Sequence, residues 1–164
     1  MSSTTVARRY TSPTAACEHA GRHQCALRRL EPAHDHYRDG VAATSRLIER
    51  GEPLHIAAQS LAEFWAAATR PPAQNGLGRE IAAAASAVEE IERTFGLLLS
   101  DEAMVYRHWK RLIVDQRVTG RRVFDARLVA VMLARGVGRV LTFNGADFAG
   151  LGVVVLEPRA EACP

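Results

Sequence analysis

Phe124-Asp125-Ala126-Arg127-Leu128-Val129-Ala130-Val131-Met132-Leu133-Ala134-Arg135-Gly136, followed by Val140-Leu141-Thr142-Phe143 and then Asn144-Gly145, is the stretch that decides the fold. Its first part reads as a helix from Phe124 to Arg135, stopped by Gly136. Its second part is a short apolar strand, Val140 to Phe143, closed by an Asn-Gly turn. The same alternation runs outward from there. Upstream, Tyr37, Val41, Thr44, Leu47 and Ile48 recur at helical spacing until Gly51, and Leu54 to Ala58 is a short apolar run. Leu61, Phe64, Trp65 and Ala68 form a second stripe that ends at Pro71-Pro72. Asn75-Gly76 and Gly78 mark a loop, and Ile81 to Phe95 is a helix that keeps its period throughout. Gly96 to Leu99 reads as a strand, Ser100 as the N-cap of a helix running to about Val118, and Gly152 to Leu156 as a last strand. Short apolar strands alternating with helices predict an α/β fold, a parallel sheet with helices on both faces.

The chain has 164 residues, 48% hydrophobic and 24% charged, the balance of one globular domain. No apolar run reaches the ~20 residues that span a bilayer, and Met1 to Tyr10 lacks the apolar stretch of a secretory signal. Three cysteines (Cys17, Cys25 and Cys163) form no disulfide framework and suit a reducing compartment. The net charge is +3, but it is unevenly spread. Residues 1–30 carry five arginines against Glu18, a net of +4 that leaves −1 for the rest of the chain. Basicity therefore gives no reason to infer nucleic-acid binding by the body.

Residues 1–30 read as an irregular leader without helical or strand period. Cys17, His19, His23 and Cys25 supply zinc-ligand types, at a spacing that matches no usual zinc pattern. Further along, acids stand where strands hand over to helices or turns, the edge at which open α/β sheets bind ligands. Glu63 is expected on the first turn of its helix, Asp125 opens another, and Asn144 and Asp147 follow the strand at 140–143. Carboxylates at such an edge suit Mg²⁺ or Mn²⁺. Each also has a plainer reading. Ser60-Leu61-Ala62-Glu63 fits a capping box, Asp125 a helix dipole, and Asn144 to Asp147 a turn. Trp65, Trp109, Met104 and Met132 are spaced as core residues. No G-x-G-x-x-G, Walker loop or G-x-S-x-G elbow is present.

Three motifs in order resemble the PIN-domain family, and most of all the VapC-type toxin ribonucleases. The first is Leu61-Ala62-Glu63-Phe64-Trp65 with Thr69-Arg70-Pro71 and Asn75-Gly76-Leu77-Gly78. The second is Asp125-Ala126-Arg127-Leu128-Val129-Ala130, and the third Leu141-Thr142-Phe143-Asn144 with Asp147-Phe148. The resemblance covers about residues 31–158, leaving 159–164 as a tail. It implies a three-layer α/β/α fold, an acidic pocket holding Mg²⁺ or Mn²⁺, and cleavage of single-stranded RNA in the cytoplasm. By that resemblance Glu63, Asp125 and Asp147 are the metal-site and catalytic carboxylates, with Asn144 alongside. Arg70, Arg79, Arg121 and Arg127 are candidates for RNA phosphate contacts. A VapB-like antitoxin and a homodimer are the implied partners, with the helices near Val41–Ile48 and Leu61–Ala68 offering apolar surface.

One departure weighs on these expectations. The family opens on a central strand bearing an Asp-Thr-Asn-like motif, which residues 1–30 lack. In Gln24 to Leu30, the best local candidate, Arg28 and Arg29 would each point into a covered face, at a cost above what Leu27 or Leu30 returns. The expectation is a leader that stays out of the sheet, a central strand absent or degraded, and impaired catalysis. A shifted reading frame in GC-rich coding DNA is one hypothesis for such a leader, and resequencing that returns an intact frame removes it. Two alternatives stand beside the nuclease: the same fold as an inactive binding module for an antitoxin or RNA, and a doubly wound domain for a small phosphorylated ligand.

Overall fold

In the computed structural model, which describes residues 15–17 and 35–162, five strands form one sheet in the order β3-β2-β1-β4-β5. They are β1 (Ala15–Cys17), β2 (Leu54–Ala57), β3 (Gly96–Leu98), β4 (Arg139–Leu141) and β5 (Val154–Leu156), and every neighbouring pair is parallel. The helices are α1 (Tyr37–Glu49), α2 (Ala58–Thr69), α3 (Ile81–Thr94), α4 (Glu102–Asp115), α5 (Arg122–Ala134) and α6 (Pro158–Ala162). Parallel strands need crossover connections; α1, α2 with α3, and α4 with α5 supply three of them, and a 3₁₀ turn and loop join β4 to β5. The observed protein is thus a mixed α/β fold with a parallel sheet.

The expectation of an empty central slot is overturned. Ala15–Cys17 occupies it, with Cys17 in register with Ile56 on one side and Leu141 on the other. The penalty argued from Arg28 and Arg29 does not arise, because this segment contains no charged residue. Three residues suffice to pair backbone groups of β2 and β4 that would otherwise face each other unbonded. The candidate Gln24 to Leu30 lies outside the described residues, as do His19, His23 and Cys25. Glu18, which follows Cys17 in the chain, is outside them too.

Alternation along the strands divides the core in two. Leu54 and Ile56 of β2 and Leu141 of β4 pack with Leu47 of α1, Phe64 and Ala68 of α2, and Ala84 and Ile91 of α3. Ala57 and Val140 join the other cluster, with Leu98, Val105 of α4 and Leu128, Val129 and Met132 of α5. Helices therefore cover both faces. Helix α5 is buried along most of its circumference, and Ala126, Leu128, Val129, Ala130, Val131 and Met132 are all in the core. Burial of each large side chain there is worth ~1.5–3 kcal/mol.

Several local expectations are corrected. Trp65 and Met104 are exposed rather than in the core, while Met132 is buried and Trp109 is half-buried, donating from Nε1 to the Val123 carbonyl at 3.0 Å. The N-cap of α4 is Asp101, not Ser100: its carboxylate accepts from the Ala103 N–H at 3.0 Å. The stretch read as a tail contains most of α6, tied to α1 and its C-cap by Arg159–Asp39 (3.3 Å) and Arg50–Glu161 (3.0 Å) ion pairs. Gly76 is needed in the loop after α2, since a Cβ there would lie 1.9 Å from the Arg70 carbonyl oxygen. Among the described residues, no helix is long and apolar enough to cross a membrane.

Candidate active site

The strand order reverses its direction of growth at β1, the kind of switch point where open α/β sheets form crevices at the carboxyl ends of their strands. Three elements deliver acids there. Helix α2 follows β2 without a break, Ala57 serving as its N-cap, so its first turns stand at that edge. Glu63 lies on its second turn rather than its first. Ser60 is already inside the helix, which excludes the capping-box reading. Helix α5 begins at Arg122, placing Asp125 in its first turn. After β4, Asn144 leads into a 3₁₀ turn, Gly145–Phe148, that carries Asp147.

These acids feel one another. Among the described residues Asp125 is the one ionisable side chain in the buried set, at 5% exposure. Its carboxyl is pushed up to about 6, first by burial and then by the negative charges of Asp147 and Glu63, against a smaller opposing effect of Arg122. Glu63 is also raised, by burial, and partly held down by a hydrogen bond from Gln59 Nε2 (3.1 Å) and the charge of Arg121. Asn144 donates from Nδ2 to Asp147 Oδ2 and from its backbone N–H to Thr142 Oγ1 at 3.0 Å. The turn reading of Asn144 and Asp147 is therefore correct locally, and the same turn keeps Asp147 within electrostatic reach of Asp125.

The four arginines singled out in the sequence separate. Arg121 is the N-cap of α5 and acts on Glu63. Arg127 is committed: Nη1 donates to Gln59 Oε1 at 3.0 Å and Nη2 to Glu102 at 3.0 and 3.1 Å. Arg70 and Arg79 are not brought to the acids. Arg70 caps the far end of α2, about 18 Å along the axis from its start, and the Arg79 N–H bonds back to Ala68 there.

Two residues of the site escaped sequence reading. Arg122 donates to the backbone carbonyls of Asp147 (3.2 Å) and Ala149 (2.7 Å), fixing the 3₁₀ turn against α5. Gln59 bonds Glu63, Arg127 and the Phe124 carbonyl (3.3 Å), linking α2 to α5. Their spacings, Arg122 to Asp125 and Gln59 to Glu63, are helical i,i+3 and i,i+4 pairs.

The donor set is all oxygen and anionic, which suits a hard divalent cation in kind. In number it falls short. Among the described residues, no group of three His, Cys, Asp or Glu side chains is arranged to hold a metal ion. Next to the acids is a cleft of about 630 Å³, which Glu63 lines and Asp125 and Asp147 do not. Compared with protein-family models and with curated proteins, the chain matches none.

Proposed function

We propose that this chain is a PIN-type, metal-dependent endonuclease for single-stranded RNA, of the VapC toxin kind, with impaired turnover. The Asp125 carboxyl carries the reading: buried at the carboxyl edge of a parallel sheet, and raised to about 6 by burial and by Asp147 and Glu63. Holding like charges together opposes folding, so such a cluster points to a ligand that offsets it. Asp125, Glu63 and Asp147 offer the carboxylate oxygens toward which Mg²⁺ or Mn²⁺ would be drawn. Because they do not converge as a complete ligand set, the proposed turnover is impaired. The ion, when bound, would supply a polarised water and neutralise charge developing on a phosphodiester. Arg122 keeps Asp147 in place, and Arg121, exposed beside Glu63, is available to an RNA phosphate.

The shortage of converging ligands favours a second reading, an inactive PIN-type module that binds RNA or a VapB-like antitoxin in the cytoplasm. Incubating single-stranded RNA with the purified chain and Mg²⁺ or Mn²⁺ separates the two. Slow cleavage that Asp125→Asn abolishes is the expected result. No cleavage, with retained binding of a co-expressed antitoxin, leaves the module. Light scattering at high concentration tests the proposed homodimer, and a strict monomer counts against it.

A further inference from the structure

Residues 31–164 are close to neutral only on average. Residues 102–122, from the start of α4 to the start of α5, hold six lysine or arginine residues against Glu102 and Asp115, a net of +4 that leaves −5 for the rest of residues 31–164. Half of these cations stand on one side of α4. Val105, Trp109, Leu112 and Ile113 pack inward, which turns Tyr106, Arg107, Lys110 and Arg111 outward, all four exposed. Arg107 stands one turn from both Lys110 and Arg111, and like charges at that spacing weaken a helix. Asp115 offsets Arg111 alone, at 3.3 Å. The ion pairs among the described residues leave Arg107, Lys110 and Arg117 unmatched.

The end of α4 extends the line. Helices α1, α4 and α5 close in the same turn, where the residue after the C-cap is left-handed and the next N–H bonds to a carbonyl five residues back. In α1 and α5 that residue is Gly51 or Gly136; in α4 it is Arg117, at φ 48°, which a side chain adopts at a steric cost. The helix dipole favours a cation here, but an arginine in the last turn would meet it without strain. Gln116, beside Arg117, lies against Gly150 just past the turn that holds Asp147: a Cβ on that glycine would be 3.6 Å from Gln116 Oε1. Arg121, four residues on, acts on Glu63.

We infer that the outer face of α4, continued by Arg117 and Arg121, is a track for the phosphates of single-stranded RNA that leads the strand to the acidic edge. The inference rests on the nuclease reading and names the path of its substrate. Like charges one turn apart repel until a polyanion lies across them, and phosphates repeat along a strand. The exposed Tyr106 ring, with Lys110 Nζ 6.0 Å from its centroid, adds a flat face on which a base stacks. An acidic peptide would meet the cations but brings no base to that ring.

The test is fluorescence anisotropy with the full chain, EDTA and a labelled single-stranded RNA of about twelve nucleotides, at about 50 to 300 mM KCl. Each phosphate neutralised on a single strand adds about 0.7 to the slope of log affinity against log salt. Differences in slope are compared, because the arginines of residues 1–30 are common to every variant. Arg107→Gln with Lys110→Gln should flatten the slope by about 1.4 and weaken binding about tenfold at the lowest salt, and Arg117→Gly should flatten it by about 0.7. Thermal melts should show both variants at least as stable as wild type, since one relieves repulsion and the other strain. Arg93→Gln with Arg135→Gln removes as much charge at the opposite edge of the sheet, where α3 and α5 end, and should leave the slope unchanged. Equal flattening by that pair would reduce the effect to net charge and overturn the proposal, as would an unchanged slope in either track variant. Polyglutamate that displaces the RNA as well as unlabelled RNA does would assign the face to an acidic protein, which also overturns it. So does a chain that binds no RNA, and the Mg²⁺ cleavage assay then judges the nuclease reading alone. The expected slopes in a chain that cleaves nothing uphold the track and overturn only the nuclease reading.

Discussion

Arg122 reaches across from the first turn of α5 to the backbone carbonyl of Asp147, 3.2 Å from its Nε, and so fastens the turn after β4 to the helix that carries Asp125. A second bond, from Nη2 to the Ala149 carbonyl at 2.7 Å, makes the contact a two-point clamp. The same guanidinium lowers the Asp125 carboxyl against the larger effects that raise it. One side chain thus serves both the geometry and the electrostatics of the site.

Arg122→Ala should therefore act twice. Losing two charge-assisted bonds to buried-edge carbonyls should cost about 1–3 kcal/mol in stability. The Asp125 carboxyl should also titrate higher than in wild type, as followed by carboxyl carbon NMR. A variant in which stability falls but the Asp125 titration does not move would separate the clamp from the acid.

Asp125 opposes folding at neutral pH. Its folded pKa of about 6 lies above the ordinary 3.8, so between those values the folded state binds more protons than the unfolded one. Its contribution is fully favourable below about pH 4 and is lost as the pH rises through 6, by about 2–3 kcal/mol in total. Asp125→Asn should consequently melt higher than wild type at pH 7.5 and equally at pH 4. A difference that is constant across this range would exclude titration of Asp125 as the cause.

A divalent cation should bind the ionised cluster and not the protonated one. Mg²⁺ or Mn²⁺ should raise the melting temperature at pH 7.5 and have little effect at pH 5, because binding to the folded state stabilises it and protons compete for the same oxygens. Glu63→Gln should weaken the effect. Identical shifts in wild type and Asp125→Asn would place any bound cation elsewhere.

Gly96 and His55 are cross-strand neighbours on β3 and β2, and a Cβ on Gly96 would lie 2.9 Å from the His55 ring carbon Cδ2. Gly96→Ala should cost about 1–3 kcal/mol through overpacking. Adding His55→Ala should recover part of that loss, so the double variant should be more stable than the two single losses added together. Additivity in denaturant melts would show that the ring moves aside freely.

Periodicity and turn chemistry by themselves located β2 to β5 and α1 to α5 in the chain, because these elements announce themselves through local pattern: Phe64 and Ala68 on one stripe, Gly136 and Gly51 as stops. Glu63, Asp125 and Asp147 were legible as edge acids for the same reason, each standing just past the end of a strand or at the start of a helix. What the pattern could not supply was everything that depends on a partner distant in sequence. Ala15–Cys17 has no strand signature, and it is a strand because β2 and β4 each present backbone groups to it. Arg70 and Arg79 lie near Glu63 in the chain but at the far end of α2, a separation set by helix length. The high pKa of Asp125 comes from burial in α5 and from charges contributed by two other elements. Local sequence fixes which residues can form an edge, but only the packed sheet decides which charges share it.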